Sequence, residues 1–303
     1  MSVLRADAPF FWPLRGSLAL QNGSGSPTFT RATAAWGFNE TGKLYKVPDG
    51  AVRMRGYRPV INIVSNSYAI STSFSTTRSS FLSGQTDPNG QTTAYKLIED
   101  ATASNTHLAQ FSAGTQDAGN YLGFIYAKAA ERRYIAIRIY VNTSGIFCTA
   151  VFDLQAGTQT STSGSPDAYG ITDMGNGWYQ IYVRRSHASG TVGFAIATSN
   201  AATPTFSSSL PSYTGDGVSG VYVWHPMLQN VTGQSDKTPG EYVSTGELSS
   251  PYHGAGVDGV KYFATYKDGT PIPEANLLGA RLNPNAITNN LRYCRDLTNA
   301  VIS

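Results

Sequence analysis

Charge is what this 303-residue chain most lacks: Asp, Glu, Lys and Arg make up 14% of it, against about a quarter in ordinary globular proteins. The 22 basic and 19 acidic residues leave a net charge of +3, so no basic field invites nucleic acid. The pairs Arg132-Arg133 and Arg184-Arg185 are too small for a phosphate-tracking stripe and read as solvated strand ends. Two cysteines, Cys148 and Cys294, are too few for a disulfide framework, and no Cys/His spacing fits a zinc site. Both read as reduced thiols, one in a strand and one in a helix. No apolar run approaches the roughly 20 residues of a membrane-spanning helix. The amino terminus has no signal-peptide apolar region, so the expectation is a chain made without secretory export and without membrane insertion. Amphipathic helices of about 10–15 residues between strands are also missing, which excludes a parallel α/β fold.

Catalytic motifs are equally scarce. His107, His187, His225 and His253 form no HExxH and no metal-ligand spacing. No nucleophile elbow precedes a helix, since Ser163-Gly-Ser165 sits in a polar stretch. The acids that could serve as a glycosidase pair fall mostly in turns (Asp87, Asp117, Asp173, Asp236). The expectation is a protein that is not an enzyme.

Gly, Ser, Thr, Asn and a 12% aromatic share take the place of charge, a mixture that suits short strands joined by tight turns. The chain is organised around Tyr213–Gln229, where a Gly215-Asp-Gly217 turn feeds a strand. In that strand Val221, Val223 and His225 face one way and Tyr222, Trp224 and Pro226 the other. Gly175-Asn-Gly177 opens a companion strand through Arg185 in the same manner. Strands are predicted at 92–98, 107–112, 120–128, 133–142, 146–154, 177–185, 191–198 and 219–229. In 133–142, Ile135, Ile137, Ile139 and Val141 alternate with Tyr134, Ala136, Arg138 and Tyr140, marking one buried and one wetter face. Residues 154–177 and 199–218 read as polar loops. The fold class is therefore all-β, an antiparallel two-sheet jelly-roll sandwich.

Both ends read differently from the middle. Residues 1–59 are apolar yet aperiodic and broken by prolines, an extended arm with a hairpin at Gly42–Gly50 closing on Asp49-Gly50. Phe10, Phe11 and Trp12 are its candidate contacts with another subunit or particle. After a sandwich over 60–248, residues 249–303 form a carboxy-terminal extension. Ile287, Leu291, Cys294, Leu297 and Val301 recur there at helical spacing, predicting a short amphipathic helix that needs a cover. Residues 42–74 and the stretch from Gly259 show the same order of a Lys-aromatic strand, a turn and an Asn-rich segment, so the extension reads as a second lead-in.

The succession Ser26-Pro-Thr-Phe-Thr-Arg-Ala-Thr33, Gly42–Asp49, Gly177-Trp-Tyr179, Tyr213…Gly215-Asp-Gly217…Val221-Tyr-Val-Trp224…Met227-Leu-Gln229 and Tyr242-Val-Ser-Thr245 resembles bacteriophage virion proteins. These are tail, fibre and head-decoration proteins with a carbohydrate-binding-module-like, concanavalin-type jelly roll. The chain departs from them at Arg58-Pro-Val-Ile-Asn-Ile-Val64, where a Gly-Leu-Leu-Glu-Pro-like turn is usual, and at Asn230 in place of a closing glutamate. The resemblance implies a structural component of the virion that assembles with capsid, collar or tail proteins and with copies of itself, a trimer where it forms a fibre. The alternative is a glycan-binding adhesion module that contacts the host surface.

Sugars are held by flat rings against pyranose faces and by amides and carboxylates on hydroxyls. Trp36, Tyr169, Trp178, Tyr213, Trp224 and Tyr252 are the available rings. Trp178 and Trp224 sit mid-strand and read as core. Tyr169 and Tyr213 flank loops and are the glycan candidates, with Asp216 beside them. Asp216 could also ligate a structural calcium with Asp153 or carbonyls, but the spaced carboxylates of a calcium loop are missing.

Overall fold

A computed structural model describes residues 31–33, 35–247 and 254–280. Its amino-terminal strands are β1 (Ala35–Phe38), β2 (Leu44–Val47), β3 (Met54–Arg55) and β4 (Arg58–Ile61), followed by the single turn α1 (Ile70–Ser73). Then come β5 (Ser75–Thr77), β6 (Ser79–Gln85), β7 (Ala94–Glu99), β8 (Leu108–Gln116) and β9 (Gly119–Ala129). The middle of the chain supplies β10 (Tyr134–Val141), β11 (Ile146–Asp153), β12 (Thr158–Ser163), β13 (Ala168–Asp173), β14 (Trp178–His187) and β15 (Gly190–Ser199). A short ribbon, β16 (Phe206–Ser207) and β17 (Leu210–Pro211), precedes β18 (Gly220–Asn230). Past the sandwich lie β19 (Val260–Phe263) and β20 (Gly279–Ala280).

Two six-stranded sheets stack face to face, ordered β12-β11-β10-β15-β8-β5 and β13-β14-β9-β18-β7-β6, with antiparallel neighbours. The all-β sandwich expected from the strand pattern is what forms. Ile135, Ile137 and Ile139 of β10 meet Ile125 of β9, Ile181 of β14 and Val221 of β18 in one core. Alternation puts them there, because every second side chain of a pleated strand points to the same face. Gly123 of β9 lies under the Phe194 ring, where any Cβ would strike it.

Several local expectations are corrected. The polar stretch 154–177 is no loop: β12 and β13 lie in it as the outermost strands of the two sheets. Edge strands need no apolar alternation, so their Thr and Ser content hid them. The face of β10 read as wetter is buried too, because the β16–β17 ribbon lies over Ala136 and Tyr140 through Leu210. Arg138 is sealed there between the Tyr140 and Phe147 rings, donating from Nη1 to the Ser208 carbonyl at 2.8 Å. Burial pushes its pKa down to about 10.

In β18 the alternation stops at Trp224. The register shifts between Trp224 and Met227, and His225 takes φ +50°. This one-residue bulge turns His225 away from the Val223 face. It lies instead between Trp224 and Tyr242, stacked on both, with centroids at 3.5 and 4.0 Å.

The hairpin near the amino terminus joins β1 to β2 and closes on Asn39–Lys43 instead of Asp49-Gly50. Asn39 Oδ1 accepts from the Thr41 and Lys43 amides at 3.1 and 2.8 Å, an Asx-type turn. The described parts of the two flanking regions join each other: β4 pairs with β19 and β3 with β20. Val47, Val52, Met54, Tyr57, Val260 and Tyr262 give this terminal unit its own apolar centre. It is seated on the outer face of the second sheet, where Val60 and Val243 pack on Leu122, Phe124 and Met227. Asn62 pins the seam, donating to the Val243 carbonyl at 2.8 Å and accepting from the Val64 amide at 3.0 Å. Phe10, Phe11, Trp12, Ile287, Leu291, Leu297 and the carboxy-terminal helix fall outside the described residues.

Candidate functional site

Two of the three glycan candidates come together, and both are already engaged by the protein's own groups. Tyr213 is 7% exposed and turned inward. Its hydroxyl donates to the Glu99 carboxylate, lies 2.7 Å from Thr198 Oγ1, and is held far above the ordinary phenol range by burial and by Glu99. No pyranose face can stack on it. Glu99, itself fully buried, also takes the fork of Arg132 and the Asp216 amide at 3.0 Å.

Asp216 caps its own turn. Oδ1 accepts from the Val218 and Ser219 amides at 2.9 and 2.7 Å, Oδ2 from the Ser219 hydroxyl at 2.6 Å, and Arg132 approaches to 3.2 Å. The Ser219 hydroxyl and the two amides hold the carboxyl far below its usual range. Asp153, the other acid considered for calcium, takes the Arg133 fork and the Gln155 and Ala156 amides. Among the described residues no group of three or more His, Cys, Asp or Glu side chains could hold a metal ion. Tyr169 is exposed on the outermost strand β13, apart from the other two. Trp178 is buried as expected, whereas Trp224 is half-buried on the outer face and donates from Nε1 to Thr93 Oγ1 at 2.8 Å.

The concavity lies elsewhere, at the seam between the terminal unit and the sandwich. It is a cleft of 520 Å³, inside the range of about 300–1,000 Å³ that small-ligand sites occupy. The β1–β2 hairpin forms one wall, with Trp36, Leu44 and Lys46 on it. Trp36 pairs with Lys46 and Phe38 with Leu44 across the hairpin, so all four share one face. The opposite face carries Tyr45 and Val47 into the terminal core, which leaves Trp36 61% exposed.

The end of β18 brings Gln229 and Asn230 to the cleft, residues 232–240 close one side, and the Tyr266–Thr270 turn closes another. Gln229 is 4% exposed and lines the cleft; its side-chain amide makes no hydrogen bond among the described residues and is not sealed from the solvent there. Glu40 has an oxygen sealed from solvent with no partner, a shortfall that costs about 1–3 kcal/mol, and burial pushes its carboxyl above the ordinary range. The cations of the cleft are engaged: Arg58 forks onto Glu241, Lys267 reaches Asp236 at 3.0 Å, and Lys46 reaches Asp117.

The sequence marks Trp36 as one of the available rings and Gln229 only as the end of a strand, not as a site residue. The only local signal for Gln229 was its place at the end of the central strand, and its unpartnered amide exists only once the two terminal segments meet.

No protein-family model and no curated protein sequence matches the chain. Among solved structures, similar chains include a family 35 carbohydrate binding module from Clostridium thermocellum, 12% identical, covering 55% of this chain and 96% of that one with a TM-score of 0.27. The C-terminal family 6 module of a marine laminarinase from Zobellia galactanivorans is 11% identical over 57% and 98%, TM-score 0.26. A module of Cellvibrio mixtus lichenase 5A in complex with cellotriose is 10% identical over 56% and 95%, TM-score 0.25. At this level of likeness they carry no argument about this chain, and the reading of the cleft stands on its own residues.

Proposed function

We propose that this chain is a glycan-binding module and that the seam cleft is its site. The observation that carries the proposal is a cleft of ligand size with a mostly exposed indole, Trp36, at its rim, lined by the Gln229 amide and by Glu40, one of whose oxygens is sealed from solvent without a partner. A pyranose stacked on Trp36 would present hydroxyls to the amide of Gln229, to Tyr266 and to the carboxylates nearby. Each of these group types hydrogen-bonds hydroxyls, and the ring supplies the apolar contact. The test is binding to a glycan panel by calorimetry, with Trp36→Ala as the variant. Binding weakened about tenfold or more supports the site, as loss of one stacked ring requires. Wild-type protein that binds no glycan, or a variant that binds as well as wild type, removes it.

Assembly on a phage particle through the chain ends is a separate proposal resting on the motif order. The virion location, the capsid, collar or tail partners and the contacts at Phe10, Phe11, Trp12, Ile287, Leu291 and Leu297 all belong to it. Imaging of a particle carrying the labelled subunit tests it.

A further inference from the structure

The charges of the cleft say more than that it takes a sugar. Three cations line it, and each is matched to one acid: Lys46 to Asp117, Arg58 to Glu241 and Lys267 to Asp236. Two further carboxylates line it, Glu40 and Asp268, and neither has an ion pair among the described residues. Arg58 lies near enough to act on Glu40, but both ends of its fork are spent on Glu241. Asp268 uses Oδ1 on the Thr270 amide and hydroxyl, at 2.9 and 2.6 Å, which is turn chemistry and leaves its charge unneutralised. Among the described residues the cleft therefore has negative charge to spare and no cation free to meet an anion.

Resting on the glycan reading above, we infer that the site discriminates by ligand charge: it favours pyranosides bearing a free ammonium, accepts neutral ones, and rejects uronates and other acidic sugars. The reason is asymmetric. A ligand carboxylate would meet two like charges with nothing to offset its lost water, and juxtaposed like charges act against the wrong partner. A ligand ammonium meets Glu40 and Asp268 instead. Burial already pushes the Glu40 carboxyl toward its neutral form, so a bound cation supplies the charge partner that the protein does not. The Gln229 amide has both donors and acceptors and reads hydroxyls without regard to charge, so it adds affinity and no discrimination.

The experiment uses the full chain and three linear oligosaccharides of equal length: glucosamine, N-acetylglucosamine and galacturonate oligomers. Affinities are measured by calorimetry at low and high salt. The expected order is amino, then neutral, then acidic, with at least tenfold between the ends at low salt and a narrower gap at high salt, as screening requires. The double variant Glu40→Gln/Asp268→Asn, shown to be folded by an unchanged thermal melt, should shrink that gap to within about threefold. An equal or reversed order, with Trp36→Ala still weakening binding about tenfold or more, overturns the charge inference and leaves the glycan reading standing. A gap that persists in the folded double variant also overturns it. Binding of none of the three by wild type, together with an empty wider glycan panel, overturns the glycan reading itself.

Discussion

Two polar assemblies in this molecule contain similar residues and do different things. Around Glu99, an arginine, a tyrosine, a threonine and the Asp216 turn satisfy one another inside the sandwich. In the seam cleft, Glu40 has an oxygen sealed from solvent without a partner, and the Gln229 amide makes no hydrogen bond among the described residues. A closed network adds rigidity and specifies geometry, whereas an open one carries a cost that a bound molecule can remove. The difference is one of completeness, not of residue type. It separates the Tyr213 and Asp216 pair, whose hydroxyl and carboxylate are engaged within the protein, from the groups of the cleft.

Breaking the closed network has the largest expected effect. Glu99→Ala leaves Arg132 and the Tyr213 hydroxyl without their acceptor and should cost about 3–5 kcal/mol, read from urea unfolding. A loss below about 1 kcal/mol would mean that the network is ornamental. Next comes the seam. Gly56 sits at φ +80° with the Asn276 carbonyl where a Cβ would go, so Gly56→Ala should cost about 1–3 kcal/mol and weaken glycan binding with it. Unaltered binding in a destabilised variant would uncouple the terminal unit from the cleft.

Gln229→Leu sharpens the contrast from the other side. Replacing an amide that makes no hydrogen bond among the described residues by an apolar group of similar shape should leave stability nearly unchanged while glycan affinity falls several-fold. A marked loss of stability would show that the amide already has an internal role.

The smallest effect is acid sensitivity. The Asp216 pKa is depressed in the folded chain. Its contribution is therefore present above the ordinary carboxylate pKa and is lost as pH falls through that value toward the folded one. Asp216→Asn should flatten the decline in melting temperature over that acidic window and leave neutral pH nearly untouched. An unchanged acid slope would assign the decline to Glu241 or Asp153, which are depressed in the same direction.

How much of this was legible beforehand differs by element. The eight long strands were readable because both determinants are local: period-two apolar alternation and glycine-bearing turns. Strands β12 and β13 were not, since a strand held only at a sheet edge leaves a polar pattern. The bulge at His225 was hidden because its position depends on the register with β9. Trp36 could be picked out as an aromatic ring, but not as an exposed one, because its exposure follows from which face of the hairpin the terminal core claims.

Composition and alternation along the chain were enough to determine an antiparallel sandwich with little charge, because each strand's inward face is written in its own residues. Where the cleft lies, and which polar groups go unpartnered in it, was decided only by tertiary structure. Segments around residues 40, 58, 229 and 267 must meet before an amide can be left over, and no local pattern encodes a hydrogen bond that fails to form.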